Sequence, residues 1–375
     1  MIIGYDAKRA FLNNTGLGNY SRWLIKAVAT FYPEEQYKLY TPKTKDNQHL
    51  ELLSKLPNTD TIEPKDKLLS SWWRTKGIVK DLQKDGVQLY HGLSHELPLG
   101  IVQSGVKSVL TVHDLIFMRY PQYYGWINRT IYETKLKYAC KAADKIVAIS
   151  QKTKDDLADL LQVDPNKIDV IYQGCDKAFT LNQSDAQKAL VRKKYQLPKR
   201  YLLTVGTIEE RKNLLLLVKA LLHTKTSVPL IVVGKPTKYL EQVKHFIQAN
   251  DLNSRVTFLH DVSFAELPSI YQLATIFVYP SRYEGFGIPV LEALNSGVPV
   301  IAAMGSCLEE AGGPNSLYVN PDDDKDLAKK INKVWNTPAL RQQMIEKGFE
   351  YAHNFDDEKL AAQLMALYQN MLHHA

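Results

Sequence analysis

Short blocks of apolar residues return along this chain in one order, a strand-like run, a glycine-bearing loop and then a helical spacing of apolar positions. In the first half, MIIGYDA, QYKLYT, VQLYHG, KSVLTVHD, DKIVAIS and IDVIYQG read as strands, and helices are predicted over 17–29, 72–84, 126–143 and 151–161. The strand runs cease from Asp176 to about Arg200, where the charged stretch DAQKALVRKKYQLPKR appears. They resume as YLLTVGT, PLIVVGK, RVTFLHD, IFVYPS, PVIAA and SLYVN, and from 326 to 375 the pattern is helical. This order predicts open α/β sheets with right-handed crossovers. The gap marks a junction between one domain over 1–178 and a second over 179–354, and there is no internal repeat or low-complexity segment.

The segment Arg282 to Pro299, RYEGFGIPVLEALNSGVP, carries the most specific chemistry. Glu284 and Glu292 flank a glycine-rich turn whose Gly285 and Gly287 permit close approach of backbone to a ligand. Pro289 fits a first helical position, Gly297 a stop, and Pro299 lies beyond it, which puts Glu284 in a loop and Glu292 in a first helical turn. Backbone amides around Phe286, Gly287 and Ile288 would then form an anion-binding end. A loop carboxylate can accept sugar hydroxyls and a first-turn carboxylate can grip a ribose, so the segment suits a sugar joined to a nucleotide. Taken alone, Glu292 also suits a solvated residue at a helix start.

The segment resembles the Glu-x7-Glu signature of retaining family-4 (group 1) glycosyltransferases, whose GT-B fold sets two facing Rossmann-like domains about a cleft. The resemblance runs over nearly the whole chain and is strongest from Tyr201 to Asp322. It implies an acceptor-binding domain over 1–178, a nucleotide-sugar donor-binding domain over 179–354, and a last helix over 355–375 that crosses back to the first domain.

In TVGTIEERKNLLLLVKAL a strand ends near Gly206 and a helix begins near Asn213, whose side chain could cap it. Arg211 and Lys212 stand just ahead of that helix, a placement its dipole disfavours and a bound diphosphate would explain. By resemblance they match the basic pair that grips the donor diphosphate. Many family members carry an Arg where this chain has Thr207, so the Arg contact is absent at that one position. In the first domain, Gly16 and Gly18 lie in a loop feeding a helix, without the third glycine of a dinucleotide fingerprint. By resemblance, the amide near Gly16 closes over the diphosphate. His113 and Asp114 end the strand KSVLTVHD; His113 resembles the family histidine that contacts the donor sugar, while a hydrogen-bonded structural role is the plain alternative. Val262 and Leu267 match the part that cups the base, with apolar packing as the alternative. Ser150 is explained fully as a helix cap, and Glu310 matches an acid that looks structural.

Composition narrows the class. With 375 residues, two domains are the natural prior, and 45% hydrophobic with 23% charged residues is ordinary for a globular protein. The start, MIIGYDAKRAF, lacks a signal-peptide layout and no apolar run is long enough for a bilayer, so a cytoplasmic protein is expected. Three scattered cysteines suggest neither disulfides nor a metal site. The net charge of +7 comes without a nucleic-acid-binding motif, so no nucleic acid is expected as a partner. It fits equally an ordinary basic protein, a diphosphate-bearing acceptor, or peripheral contact with the inner membrane surface. Trp72 and Trp73, near Lys67, Arg74, Lys76 and Lys80, suit either a membrane interface with a lipid-linked acceptor or the core.

The resemblance implies front-face transfer with retention through an oxocarbenium-like state, the leaving phosphate taking the acceptor's proton. Glu284 then binds donor-sugar hydroxyls, and Arg211 and Lys212 stabilise the departing diphosphate. The sequence reading places no Asp-x-Asp metal motif at a strand end, so no cofactor or obligatory metal is expected. The partners implied are a nucleotide-sugar donor and a saccharide or lipid-linked glycan acceptor. The likeness to bacterial mannosyltransferases of surface polysaccharides makes GDP-mannose the first expectation. Rhamnosyl or glucosyl transfer, a sugar-nucleotide epimerase and a non-catalytic sugar-nucleotide-binding subunit are the alternatives.

Overall fold

A computed structural model describes every residue except 46–47 and 374–375. The chain divides into two compact units, Met1–Gly174 together with the segment that begins at Phe355, and Cys175–Asn354. The cut falls a few residues before the position expected from the change in sequence pattern.

The first unit is built on a sheet of seven strands: β1 (Ile2–Asp6), β2 (Gln36–Tyr40), β3 (Thr59–Ile62), β4 (Leu89–Gly92), β5 (Lys107–Val112), β6 (Lys145–Ala148) and β7 (Ile168–Val170). Their order is β3-β2-β1-β4-β5-β6-β7, and every pairing is parallel. The second unit repeats the plan with β8 (Leu202–Val205), β9 (Leu230–Val233), β10 (Val256–Leu259), β11 (Ile276–Tyr279), β12 (Val300–Ala303) and β13 (Leu317–Val319). These lie in the order β10-β9-β8-β11-β12-β13, again all parallel. The strands LIVV, IFVY and VIAA are buried at every position, as strands covered by helices on both faces must be. Burying each such Ile, Val or Leu side chain contributes roughly 1.5–3 kcal/mol. The edge strand β3, TDTI, has no apolar run and is nowhere buried, which is why the hydrophobic pattern gave no sign of it.

Helices expected over 17–29, 126–143 and 151–161 occur as Gly16–Phe31, Trp126–Ala142 and Gln151–Leu161. Ser150 caps the last of these, accepting from the Thr153 amide at 3.0 Å. The helix expected over 72–84 begins earlier, at Ser70, and is interrupted by a π turn over Trp73–Gly77. Trp72 and Trp73 part company there. Trp73 packs in the core and donates its indole N–H to Asp81 at 2.6 Å, whereas Trp72 is 56% exposed.

The last helix, Asp357–His373, buries Leu360, Leu364 and Tyr368, one face at four-residue spacing, and packs on the helix Gly16–Phe31. Trp23 donates to Asp357 at 2.7 Å. The Tyr368 hydroxyl lies 2.6 Å from Nδ1 of His91 on β4, whose Nε2 reaches Thr111 at 2.8 Å. Burial pushes the His91 imidazole down to about 3, so it is neutral in this arrangement. Among the described residues, no helix is long and apolar enough to cross a membrane.

Candidate functional site

In an open parallel sheet, ligands settle beyond the carboxyl ends of two neighbouring strands whose connections leave in opposite directions. In the second unit that place lies between β8 and β11. The loop after β8 carries Thr207, exposed, and then a 3-10 turn, Glu210–Lys212. The loop after β11 carries Ser281 and Glu284. The fold therefore brings Glu284 to the adjacent Arg211 and Lys212, each more than 70 residues away in the chain.

Glu284 is clamped. One carboxylate oxygen accepts from Lys212 Nζ at 3.0 Å, the Tyr279 hydroxyl at 2.9 Å and the Ser281 hydroxyl at 2.8 Å. The other meets Arg211 at 2.8 Å. Lys212 also donates to Tyr279 at 2.6 Å, and the other terminal guanidinium nitrogen of Arg211 meets Glu209 at 2.6 Å, with a further bond from Arg211 to the Tyr283 carbonyl. Burial pushes the Glu284 carboxyl up, but the charges of Lys212 and Arg211, with hydrogen bonds from Arg211 and Ser281, overcome it and hold it at about 2. A carboxyl so held is ionised at any physiological pH and cannot protonate a leaving group. Its two oxygens are also committed to cations, which blunts it as a nucleophile and leaves it an acceptor of hydroxyls. The two acids and two bases of this cluster balance. An arriving diphosphate would compete with Glu284 for Lys212, the more mobile of the two cations.

Cys307 fixes the loop from below. Its buried Sγ lies 3.0 Å from the Glu284 carbonyl and 2.9 Å from that of Phe286, whose side chain is itself buried. Gly287 adopts φ +116°, and a Cβ there would stand 2.7 Å from Leu308, so a side chain would displace the turn.

Glu292 departs from expectation. The helix begins at Ile288, directly after the left-handed Gly287, and spans Ile288–Asn295, so Pro289 is its second residue and Glu292 lies beyond its first turn. Its carboxylate accepts from the Tyr271 hydroxyl at 2.8 Å. Burial raises the Glu292 carboxyl to about 7; the Tyr271 bond pulls it down and the Asp176 charge pushes it further up. Asn213 also departs. It stands before the helix Leu214–Leu221 at φ +58° without capping it, its amide donating instead to the Pro280 and Pro321 carbonyls at 3.2 and 2.7 Å. The cap is lost because that amide ties the β11 loop to the segment after β13.

Val262 and Leu267 are half-buried and follow β10, the sheet edge two strands from β8, outside the Glu284 cluster. Asp322, Asp323 and Asp324 follow β13 closely, so an Asp-x-Asp does stand at a strand end, contrary to the expectation from sequence. Each is engaged: Asp322 with Arg282 at 2.6 Å, Asp323 as the cap of the helix Asp324–Asn336, and Asp324 with His223 at 2.9 Å. Among the described residues, no three His, Cys, Asp or Glu side chains converge as a metal site.

His113 and Gly16 belong to the first unit. His113 directly follows β5, buried; its Nε2 lies 2.9 Å from the Leu93 carbonyl, its ring meets Tyr20 edge-on, and its amide donates to His95 Nε2 at 2.7 Å. Burial, with His95 alongside, lowers the His113 imidazole, so it is neutral and donates from Nε2. A Cβ on Gly16 would meet nothing within 4 Å, whereas one on Gly18 would come 1.9 Å from the Asn13 carbonyl. Both stand in the first turn of the helix Gly16–Phe31 rather than in the loop expected from sequence, where Gly18 permits close packing on the preceding Asn13 and Gly16 leaves open space.

Tyr279, Ser281 and Cys307 belong to the site although no sequence motif marks them. The only signal in the sequence is that the first two lie in the second half of the run IFVYPS, just ahead of Glu284.

Comparison with known proteins gives the family and the fold. Residues 187–351 match the model described as glycosyl transferases group 1, and residues 35–179 match glycosyltransferase family 4. The O-antigen chain mannosyltransferase RfbU of Salmonella typhimurium is 32% identical over 288 residues, covering 76% of this chain and 75% of that protein. O-antigen chain mannosyltransferase B of Escherichia coli is 27% identical over 374 residues, 95% and 96% of the two chains. Among solved structures, Anabaena HepE in complex with UDP and glucose superposes with a TM-score of 0.74 at 18% identity, over 99% of this chain and 100% of that one. Sucrose-phosphate synthase from Thermosynechococcus elongatus gives 0.75 at 22% identity over both chains in full. These last two establish the fold, the α/β GT-B arrangement of two Rossmann-like domains.

Proposed function

The chain belongs to the group 1 glycosyltransferases, and on that premise we propose that it moves mannose from GDP-mannose, with retention, onto a saccharide or lipid-linked glycan in surface polysaccharide synthesis. The observation that carries the chemistry is the Glu284 clamp: a carboxylate held ionised by Lys212 and Arg211 at the switch point of the second sheet. In this reading the bond from the anomeric carbon to the diphosphate breaks as the acceptor oxygen bonds the same face. The acceptor's proton passes to the departing phosphate oxygen, and Lys212 and Arg211 take up the growing negative charge. Glu284 holds donor hydroxyls, Glu292 the ribose, the amides of Phe286, Gly287 and Ile288 with that of Gly16 the diphosphate, His113 the donor sugar, and Thr207, Val262 and Leu267 the nucleotide's surroundings. Because two fixed cations meet the leaving group, transfer needs no metal ion and persists in EDTA.

The mannosyl preference rests on the two O-antigen mannosyltransferases, which align over most of the chain. Thermal-shift titration with GDP-mannose, UDP-glucose, UDP-N-acetylglucosamine and dTDP-rhamnose, each beside its free diphosphate, tests it. Selective stabilisation by guanine nucleotides is expected, and a uracil or thymine preference would replace mannose by glucose or rhamnose. Conversion of donor without acceptor would mark an epimerase, and binding without turnover a non-catalytic subunit. We place the work in the cytoplasm at the inner membrane surface. Co-sedimentation with phosphatidylglycerol vesicles, lost at high salt, is the expected sign, and no association at low salt would refute that placement.

A further inference from the structure

The segment that leaves β4, residues 93–96, folds back tightly: a Cβ on Gly92 would stand 2.2 Å from the Glu96 carbonyl. Within it His95 adopts φ +64°, a left-handed backbone that residues bearing a side chain take at a cost. Beside it the buried Ser94 hydroxyl has no hydrogen-bond partner among the described residues. Local costs of this kind gather at functional sites, where the surrounding structure holds them in place. Glycine would satisfy the turn at φ +64° without strain. The left-handed angle at His95 is therefore endured for the sake of its side chain, and what that side chain holds is His113.

β4 stops at Gly92, opposite Leu110 of β5, so the ladder ends before His113 and its amide needs another acceptor. The imidazole of His95 supplies it: Nε2 accepts from the His113 amide at 2.7 Å, while the His95 amide donates to the Thr111 carbonyl at 3.1 Å. The two rings stand 5.3 Å apart. His113 is fixed at two further points, its Nε2 donating to the Leu93 carbonyl at 2.9 Å and its own carbonyl accepting from the Thr153 hydroxyl at 3.2 Å. A backbone amide can only donate, so Nε2 of His95 is bare and its proton sits on Nδ1. A carbonyl can only accept, so the His113 proton sits on Nε2 and its Nδ1 lone pair is the acceptor that the ring can offer a ligand. An imidazole accepts an amide proton at Nε2 only while neutral. Burial lowers His95 to about 4, with Glu96 opposing the shift and Arg9 adding to it.

We propose that His95 is a positioning residue: through its neutral imidazole it fixes the His113 backbone, and with it the orientation in which the His113 ring meets the donor sugar. Nothing in this role needs His95 to touch the substrate. The part played by His113 rests on the transferase reading above; the hold of His95 on His113 does not.

Two substitutions separate the turn from the acceptor. His95→Asn suits the left-handed backbone, but its Oδ1 falls short of the reach of Nε2. His95→Gln places Oε1 at that reach, and this chain already holds Gln162 and Gln196 at φ +54° and +50°. The nitrogen NMR shifts of labelled histidines are read first, without donor. At pH 7 the unaltered protein should show His95 protonated at Nδ1 and His113 at Nε2; the His113 signals should stay in place in His95→Gln and move in His95→Asn. GDP release is then followed with the donor selected by the titration above, GDP-mannose first. In His95→Asn, kcat per folded molecule should fall about a hundredfold with KM nearly unchanged, as a displaced reacting group demands, and His95→Gln should restore most of it. A kcat per folded molecule in His95→Asn equal to the unaltered value overturns the proposal. So does a loss in His95→Gln as deep as that in His95→Asn, or a His113 signal unmoved in His95→Asn. If the unaltered protein releases no GDP from any donor, the transferase reading falls, and the histidine shifts alone decide whether His95 holds His113.

Discussion

Glu284→Gln separates the two duties of the clamp. The carboxyl is held near 2 from an ordinary 4.5, and this depression corresponds to about 3 kcal/mol of preference for the ionised form in the folded chain. A depressed carboxyl contributes stability that is present above its unfolded value, near 4.5, and lost as pH falls toward 2. Glutamine keeps the shape and removes the charge, leaving Lys212 and Arg211 with Glu209 alone as counter-charge. At pH 7 the transition of the second unit should fall by roughly 5–10 °C, and the gap to the unaltered protein should narrow as pH is lowered from 5 to 3. Affinity for GDP should move the other way, rising roughly tenfold, because the diphosphate no longer competes with a carboxylate for the same cations. Transfer should nonetheless drop by roughly two orders of magnitude as the hydroxyl acceptor is weakened. Calorimetry across pH and GDP titration measure both. An unchanged transition temperature with weakened GDP binding would refute the reasoning.

Glu292→Gln tests the opposite shift. Its carboxyl is raised to about 7, so its contribution is present below the unfolded value near 4.5 and lost as pH rises through 7. The variant should match the unaltered protein in melting at pH 4 and exceed it by up to about 3 kcal/mol at pH 8; a constant difference across that range would contradict the assignment. Cys307→Ala removes the thiol beneath the Glu284 and Phe286 carbonyls. It should cost about 1–3 kcal/mol and reduce turnover beyond the loss of folded protein, measured with folded fraction held equal; a turnover per folded molecule equal to the unaltered value would show the loop needs no such tie. Gly287→Ala must strain a φ of +116° and push Leu308 aside, so nucleotide binding should weaken at least tenfold, which isothermal titration checks and full affinity would disprove.

The fold was legible where burial is complete. Parallel strands such as LIVV and IFVY, covered on both faces, must be written as unbroken apolar runs, and these were found. The polar edge strand TDTI and the π turn at Trp73–Gly77 had no such signature, because neither an exposed edge nor a single widened turn demands a hydrophobic period. At the Glu284 cluster the charged members were readable as motifs, but their mutual clamp was not. Tyr279, Ser281 and Cys307 are ordinary residues that matter only because separate strand ends converge on one loop. His95 and His113 stand 18 residues apart, so no local pattern could join them. The first-turn placement of Glu292 failed on a single backbone angle, since the left-handed Gly287 starts the helix earlier than Pro289 alone suggests.

The helix Asp357–His373 leaves a timing problem for a chain made from its amino end. Trp23, Leu24 and His91 emerge early from the ribosome, yet Asp357, Leu364 and Tyr368, which cover them, emerge only after the whole second unit. The second unit, made later, has every strand of its sheet and its whole core to hand before that helix appears. The order of completion is thus inverted relative to the order of synthesis. The first unit must wait, with the groove beside the helix Gly16–Phe31 open, while its successor closes. A nascent chain halted just after the second unit is complete would offer chaperones that apolar groove, and emergence of the helix Asp357–His373 would withdraw it.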